Sequence, residues 1–144
     1  MSGSGTVRQT RETRAAGRGR APTIALWVLQ IILALQFVMA GLAKLFGDAA
    51  MVEMFANIGI GQWFRYVVGA LEVAGAAGVL VPRVSGLAAL GLVCLMIGAI
   101  LTNLFVLGAS PWLPVGLLVV GALVAWGRWP QARSLIAGSG PRVK

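Results

Sequence analysis

The sequence predicts an all-α, polytopic membrane protein built as a four-transmembrane-helix bundle, and its composition carries this prediction. Hydrophobic residues make up 58% of the 144 residues and charged residues only 11%, whereas soluble domains contain about a quarter charged residues. The mean hydropathy is +0.88. The apolar residues are concentrated in four runs, over residues 24–46, 64–81, 84–107 and 112–126. A bilayer-spanning helix needs about 17–25 apolar residues, so the first and third runs suffice comfortably and the other two are short. We therefore predict a membrane domain over residues 23–129 that contacts the lipid bilayer.

The basic residues predict how this bundle is oriented. Lys and Arg number 12 against four Asp and Glu, which gives a net charge of +8. With four spans, all of these cations lie on one side except Lys44 and Arg65. The positive-inside rule then places both termini in the cytoplasm of a multi-pass cell-membrane protein. No aromatic residue is interleaved with the N-terminal arginines, so the charge does not indicate a nucleic-acid partner.

The N-terminal segment differs in composition from everything that follows. Residues 1–22 are rich in Gly, Ser, Thr and Arg and contain almost no large apolar side chains. They are predicted to form a disordered, basic cytoplasmic tail. Pro22 is predicted to open the first helix, because a proline at that position loses no hydrogen bond. Residues 130–144, which end in "AGSGPRVK", are predicted to be a cytoplasmic C-terminal tail.

A short amphipathic helix is predicted in the first external loop, "DAAMVEMFANIGIG". Asp48 is a suitable N-cap, and Gly59 is a suitable stop. Between them, apolar residues recur at helical spacing, at Met51, Met54, Phe55 and Ile58. Two interpretations stay open: a cap over the bundle, or a lid that gates a substrate.

The second run contains one carboxylate, Glu72, among small and aliphatic residues. A central charge costs about 2.5–3.5 kcal/mol on insertion, roughly what the Val and Leu residues of this run contribute. Glu72 must therefore be neutralised, paired or next to water. It shares a helix face with Gly69, Gly75 and Ala76, because residues three and four apart are neighbours. Small residues allow close helix contact, so this face is predicted to point into the bundle.

Partners for Glu72 follow from depth in the membrane. Lys44 lies near the external end of the first span and shares a face with Gln36. Asn103 lies near the external end of the third span, after the tight turn at Pro82 that makes the second and third spans antiparallel. We predict that Lys44, Glu72, Asn103 and Gln36 converge as a ligand or proton site. The alternative is a Lys44–Glu72 ion pair that only joins two helices.

The sequence offers few ligands for metals. It contains no histidine and a single cysteine, Cys94. This excludes an intrachain disulfide and a CxxC pair, and it removes the usual nitrogen ligands of haem, zinc and copper. We predict no metal site and no intrinsic cofactor. Cys94 and Met96 are predicted to fill the core.

Three segments resemble the DoxX-like family of small four-helix membrane proteins. They are "GLAKLFG", "VGALEVAGAAGVLVP" and "LGLVCLMIGAILTNL", at the ends of the first three runs or within them. The pattern G-x-x-K followed by G-x-x-E-x-x-G carries the resemblance, with Lys44 and Glu72 at the matching positions. Asn103 departs from it, since family members often have a histidine there. The family takes its name from a subunit associated with thiosulfate:quinone oxidoreduction.

The resemblance implies a membrane subunit or anchor of a redox assembly, with quinone as a ligand and a protein partner that carries the redox cofactor. No autonomous catalytic motif occurs in the chain, so an enzymatic role would be that of a subunit of a quinone-linked oxidoreductase. Two alternatives stay open: a non-catalytic scaffold or assembly factor, and a small proton- or cation-coupled transporter. Homo-oligomerisation also stays open.

Overall fold

A computed structural model describes the backbone of residues 4–138 and the side chains of residues 20–138. The described residues form six α-helices and one π-helix, with no strand among them. The α-helices are α1 (Ser4–Phe46), α2 (Ala49–Ile58), α3 (Gln62–Leu80), α4 (Ser85–Thr102), α5 (Trp112–Gly127) and α6 (Trp129–Ala137). The π-helix (Asn103–Leu107) continues directly from α4. The predicted all-α class is confirmed.

Three helical segments are long and apolar enough to cross a membrane: Arg20–Phe46 within α1, all of α3, and α4 together with the π-helix. A fourth candidate is the pair α5–α6, which is bent by 60°. Large apolar side chains cover the outside of these helices, and Met39, for example, is 70% exposed. Such a surface requires lipid around it. The chain is therefore a multi-pass membrane bundle, as predicted.

The spans form a closed ring in which α1 packs on α3, α3 on α4, α4 on α5, and α5 on α1. The centre of the ring is filled by small and aliphatic side chains with one phenylalanine, among them Leu33, Phe37, Ala76, Val79, Leu92 and Val124. Helix α2 packs against α1, α3 and the π-helix. We call that end of the bundle the α2 end, and the opposite end, where α6 packs against α4 and α5, the α6 end.

Helix α1 is longer than the sequence predicts. It begins at Ser4, and Pro22 lies inside it rather than at its start, whereas a disordered tail was expected over residues 1–22. Arg and Ala, which are frequent just before Pro22, are good helix formers. Pro22 has no N–H group, so one carbonyl in the preceding turn of the helix has no backbone donor. That carbonyl comes before the apolar segment that begins at Arg20, so water can bond it. Residues 1–3 lie outside the described part of the chain.

Helix α2 has the caps that the sequence predicts. The Asp48 Oδ1 atom accepts a hydrogen bond from the Ala50 amide at 3.1 Å. Gly59 ends the helix with a φ of 79° and donates to the Phe55 and Ala56 carbonyls. This left-handed conformation favours glycine. Phe55 is buried under the helix, so the short helix in the first loop is confirmed.

The chain after α5 is also more helical than expected. Helix α6 occupies the first half of the segment that was predicted to be a tail from residue 130. Pro130 lies in its first turn, where no backbone donor is needed. Ala132 is buried against Gly86. A Cβ atom added at position 86 would lie 3.1 Å from the Cβ atom of Ala132. Residues 139–144 lie outside the described part of the chain.

The two sulfur-containing residues predicted for the core behave differently. Met96 is 5% exposed and belongs to the core, whereas Cys94 is exposed on the outer surface of α4. Residues two apart on a helix point to different sides. The prediction was therefore right for Met96 and wrong for Cys94.

Candidate functional site

Two glycines bring α1 and α3 into backbone contact. A Cβ atom at position 41 would lie 2.8 Å from the Gly69 carbonyl oxygen, and one at position 69 would lie 2.9 Å from the Gly41 carbonyl oxygen. Only hydrogen fits at either position. Each glycine precedes an ionisable residue by one helical turn, Gly41 before Lys44 and Gly69 before Glu72. Residues at this spacing share a helix face, so the glycine contact also brings the two charged side chains together.

Lys44 and Glu72 form a direct ion pair, as the sequence predicts. The Lys44 Nζ atom lies 2.9 Å from Glu72 Oε2 and donates a hydrogen bond to Glu72 Oε1 at 3.1 Å. Glu72 is only 3% exposed and lies about 15 Å along the axis from the first residue of α3, at 1.5 Å per residue. Away from water the two charges stabilise each other, because each would otherwise be buried alone.

The two oxygens of the Glu72 carboxylate are not equivalent. Oε1 accepts the hydrogen bond from Lys44, but Oε2 accepts none from any described residue. The ammonium lies 2.9 Å from Oε2 but outside hydrogen-bond geometry, so this contact is electrostatic. Nζ also donates a long bond of 3.5 Å to the Ala40 carbonyl. An ammonium has three donors; two have hydrogen-bond acceptors among the described residues, and the ammonium also lies 2.9 Å from Oε2.

Arg65 anchors the backbone of Lys44. It is 4% exposed, its guanidinium donates to the Lys44 carbonyl oxygen, and its Nε atom donates to Gln62 Oε1 at 2.8 Å. The last carbonyls of a helix lack intrahelical donors, and a cation there also complements the helix dipole. The Gln62 Nε2 atom in turn donates to the Val52 carbonyl of α2 at 2.9 Å. A chain of polar contacts thus connects α2, α3 and the end of α1.

A cavity of about 310 Å³ lies beside the ion pair. All four residues predicted to form a site, Lys44, Glu72, Asn103 and Gln36, line it. This volume falls at the lower end of the range for small-molecule pockets, about 300–1,000 Å³. The four residues therefore border one space, and their role as a ligand or proton site stays a prediction.

The rest of the cavity wall is mostly apolar and contains several aromatic rings and thioethers. Phe37, Phe55 and Phe64 contribute the rings, and Met51, Met54 and Met96 the sulfur atoms. Two of these methionines and Phe55 belong to α2, which closes the cavity at the α2 end. Phenylalanine rings and methionine sulfurs pack favourably against aromatic ligands. The cavity thus combines a mostly apolar wall with a few polar groups.

The two amide residues have different roles in the cavity. Gln36 lines it and is exposed, so it lies at an open side, and its side chain has no hydrogen-bond partner among the described residues. Asn103 donates from Nδ2 to the Ser110 carbonyl at 3.1 Å rather than bonding the ion pair. Asn103 also begins the π-helix; such distortions occur frequently at functional sites. It therefore shapes the wall and leaves one amide donor available.

A second polar cluster, which the sequence analysis did not identify, lies at the α6 end. Gln30 is fully buried, accepts from Arg128 Nε and another guanidinium nitrogen at 3.2 and 2.7 Å, and donates to the Val79 carbonyl at 2.6 Å. Arg128 also lies 5.4 Å from the centre of the Trp27 ring. Among the described side chains no carboxylate pairs with Arg128. The cluster ties α1, the end of α3 and the α5–α6 bend together.

Sequence signals for the missed residues are weak but present. The first apolar run contains three polar side chains, Gln30, Gln36 and Lys44. A buried amide requires hydrogen-bond partners. Arg65 is the second residue of the second apolar run, and Arg128 lies two residues after the fourth. A cation at the end of a run normally indicates only the orientation of the span. Neither position reveals that the guanidinium is buried.

Over residues 20–138, no group of three or more His, Cys, Asp or Glu side chains is arranged to hold a metal ion. The polar chemistry of the cavity therefore comes from one ammonium, one carboxylate, two amides and the Thr102 hydroxyl, which itself donates to the Gly98 carbonyl. These groups can donate to and accept from a ligand oxygen.

Comparison with known proteins identifies one relationship. The sequence profile described as the DoxX-like family matches residues 28–127, which include the ion pair and the whole cavity wall. No curated protein and no solved structure matches the sequence at a significant level.

Proposed function

This chain belongs to the DoxX-like family, and from that premise we propose that it is the membrane subunit of a redox assembly and binds a quinone-type ligand in the cavity beside Lys44 and Glu72. The redox cofactor in this proposal belongs to a partner protein. The association with quinone oxidoreduction that the family resemblance implies supports the redox part. The cavity supports the ligand part.

One observation carries the proposal: the charged pair lines a mostly apolar cavity inside the bundle. Intramembrane ionisable groups are candidates for function when they adjoin a cavity. A quinone is an apolar ring with two carbonyl oxygens. The Lys44 ammonium can donate to one of these oxygens, and the phenylalanine and methionine side chains can surround the ring.

A binding measurement with the pair removed tests the proposal. Duroquinone (tetramethyl-1,4-benzoquinone) is titrated into the purified protein in mild detergent, and into the double variant Lys44→Met with Glu72→Leu. Replacing a buried pair by apolar residues of similar volume often leaves a fold intact. Losing a hydrogen bond to a charged donor is expected to weaken binding by about tenfold or more.

A charge-removing change away from the cavity serves as the control. Arg83 is exposed and does not line the cavity, so Arg83→Met should bind duroquinone like the unaltered protein. Absence of duroquinone binding by the unaltered protein would contradict the ligand proposal. So would equal affinity in the double variant.

A non-catalytic scaffold is the second candidate. It is favoured by the way the ion pair and the Gly41–Gly69 contact join α1 to α3, because polar pairs often serve only to hold helices together. Under this hypothesis the same double variant keeps its abundance and co-purifies with the same protein partners. Loss of the redox activity of the assembly at normal abundance and partner content would count against the scaffold.

A further inference from the structure

Arg128 is a buried cation whose charge no group of the described chain neutralises. It is 7% exposed, and Nε and Nη2 of its guanidinium both donate to the neutral amide oxygen of Gln30. The Trp27 ring, centred 5.4 Å away, attracts the cation but carries no net charge. Buried charges in proteins are normally paired with an opposite charge. We therefore expect the counter-charge to come from another molecule.

The acidic residues of the chain lie too far from Arg128 to supply that charge. Over residues 20–138 they are Asp48 and Glu53, which cap and form part of α2, and Glu72, which belongs to the ion pair. The remaining one, Glu12, lies on α1, about 22 Å from Trp27 along the helix axis at 1.5 Å per residue.

The charges nearest to Arg128 at the α6 end are also positive. Arg83 lies in the turn before α4, where a Cβ atom added to Gly86 would lie 3.1 Å from the Arg128 carbonyl oxygen. Arg133 lies on α6, with its guanidinium 5.9 Å from the centre of the Trp129 ring. Both arginines are exposed. The charge of this end therefore fits an anionic ligand.

One guanidinium nitrogen of Arg128 is available to such a ligand. Nε and Nη2 donate to Gln30, whereas Nη1 has no hydrogen-bond partner in the described part of the chain. In that same part, Glu72 Oε2 is the one sealed side-chain nitrogen or oxygen that lacks a hydrogen bond. Nη1 is therefore open to a water-sized group, and it can donate to a phosphate oxygen.

The place of Arg128 along the chain indicates where that phosphate comes from. Arg128 follows the last residue of α5, at the 60° bend to α6, and lipid headgroups lie just beyond the ends of membrane spans. Trp126 and Trp129 on either side of it are 78% and 42% exposed. Exposed tryptophans are typical of the membrane interface, and their apolar surface can contact acyl chains.

We infer that Arg128 binds the phosphate group of an anionic phospholipid at the α6 end. Nη1 donates to a phosphate oxygen while Nε and Nη2 keep their bonds to Gln30, and the exposed arginines nearby add attraction over a longer range. In the predicted orientation this end faces the cytoplasmic leaflet, whose anionic lipids attract basic segments. The site is separate from the cavity beside Lys44 and does not depend on the proposed function.

Native mass spectrometry of the full-length protein in a neutral detergent tests this site. Phosphatidylglycerol and phosphatidylcholine with the same acyl chains are added at equal concentrations, and the bound lipids are counted. Phosphatidylglycerol is expected to bind about tenfold or more tightly, because no choline cation offsets the charge of its phosphate. Inorganic phosphate at the same concentration should not displace it, because inorganic phosphate has no acyl chains to bury.

A matched pair of variants locates the lipid. Arg128→Gln removes the charge but keeps an amide that can donate to Gln30, so the preference for phosphatidylglycerol should fall to about threefold or less. Arg83→Gln makes the same change at an exposed position of the α6 end and should keep most of the preference. If Arg128→Gln does not fold, Gln30→Met with Arg128→Met replaces it, since exchanging both partners of a hydrogen bond for apolar groups can be nearly neutral.

Each other result would overturn the inference. Equal binding of the two lipids would show that the site does not recognise an anionic headgroup. Displacement by inorganic phosphate would show that it takes a free anion rather than a lipid. An equal loss of preference in Arg83→Gln and Arg128→Gln would assign it to diffuse surface charge, and binding of neither lipid would leave a carboxylate of a partner protein as the counter-charge.

Discussion

Lys44 and Glu72 depend on each other because neither has another strong partner. Lys44 makes one further bond, of 3.5 Å, to its own helix, and Glu72 Oε2 accepts none from the described residues. Removing one member of a buried pair leaves the other charge without compensation, whereas removing both avoids that penalty. The pair therefore behaves as a unit.

The first prediction concerns this coupling. Lys44→Met alone is expected to lower the free energy of unfolding by about 3–5 kcal/mol, and Lys44→Met with Glu72→Leu to restore most of that loss. Thermal unfolding of the purified variants in the same detergent measures both. A double variant that is less stable than the single one would show that the two charges are not coupled.

The sequence predicts these two residues better than it predicts their neighbours. An ionisable side chain inside an apolar run is rare and costly, so Lys44 and Glu72 are conspicuous. Arg65 is the second residue of its run and Arg128 follows its run by two residues; a long side chain at the end of a run can extend to water or turn inward. Which of the two occurs depends on a nearby acceptor, here the Lys44 carbonyl or Gln30. Sequence spacing does not supply that acceptor.

Close contact between α1 and α3 is what sets the position of the pair. The contact depends on Gly41 and Gly69, since each would place a Cβ atom within 3 Å of the opposite backbone. In membranes, helices associate largely through such close packing. A larger residue at either position must push the helices apart and with them the charged side chains.

The second prediction tests this contact. Gly41→Ala is expected to lower stability by about 1–3 kcal/mol through overpacking and to weaken any ligand binding at the pair. Gly91→Ala is the control, because a Cβ there meets no atom within 4 Å; it should be neutral or stabilise by about 0.5–1 kcal/mol. Thermal unfolding distinguishes the two, and an equally tolerated alanine at both positions would argue against the contact.

The third prediction concerns the bend between α5 and α6. Arg128→Leu removes the donors of the buried Gln30 Oε1 atom, which is expected to cost about 1.5–3 kcal/mol. Arg83→Leu removes the same charge from an exposed position and should be nearly neutral. If both changes have the same effect on thermal unfolding, Arg128 acts only through its charge and the cluster does not hold the bend.

At the level of helices, the four apolar runs predict the spans to within a few residues, but not their continuations. Helix α1 extends to Ser4 and α6 follows α5, since an existing helix lengthens more easily than a new one forms. The partner of Asn103 was also not foreseeable. The π-helix that begins there departs from the regular helical period on which the sequence argument rests.

The bundle as a whole has an apolar outer surface, an ion pair near the α2 end and the polar cluster of Gln30 and Arg128 at the α6 end. Its orientation in the membrane stays a prediction from the distribution of basic residues. Four spans would place the α2 end outside and the α6 end in the cytoplasm.

The fourth prediction tests that orientation with single cysteines in a Cys94→Ala background. Ser110→Cys, in the turn before α5, should react with a membrane-impermeant maleimide on intact cells. Ser134→Cys, in α6, should react only after the membrane is permeabilised. Both positions are exposed. Labelling of both from the same side would contradict a fourth span.

The central claim is that Lys44 and Glu72 meet at the edge of a cavity that takes an aromatic ligand. The most direct measurement is a crystal structure of the protein in lipid with a brominated benzoquinone, in which anomalous scattering locates the bromine atom. Our account predicts bromine inside the cavity, with a ring oxygen within hydrogen-bond distance of Lys44 Nζ. Bromine at another place in an ordered crystal, or Glu72 facing lipid away from Lys44, would contradict it.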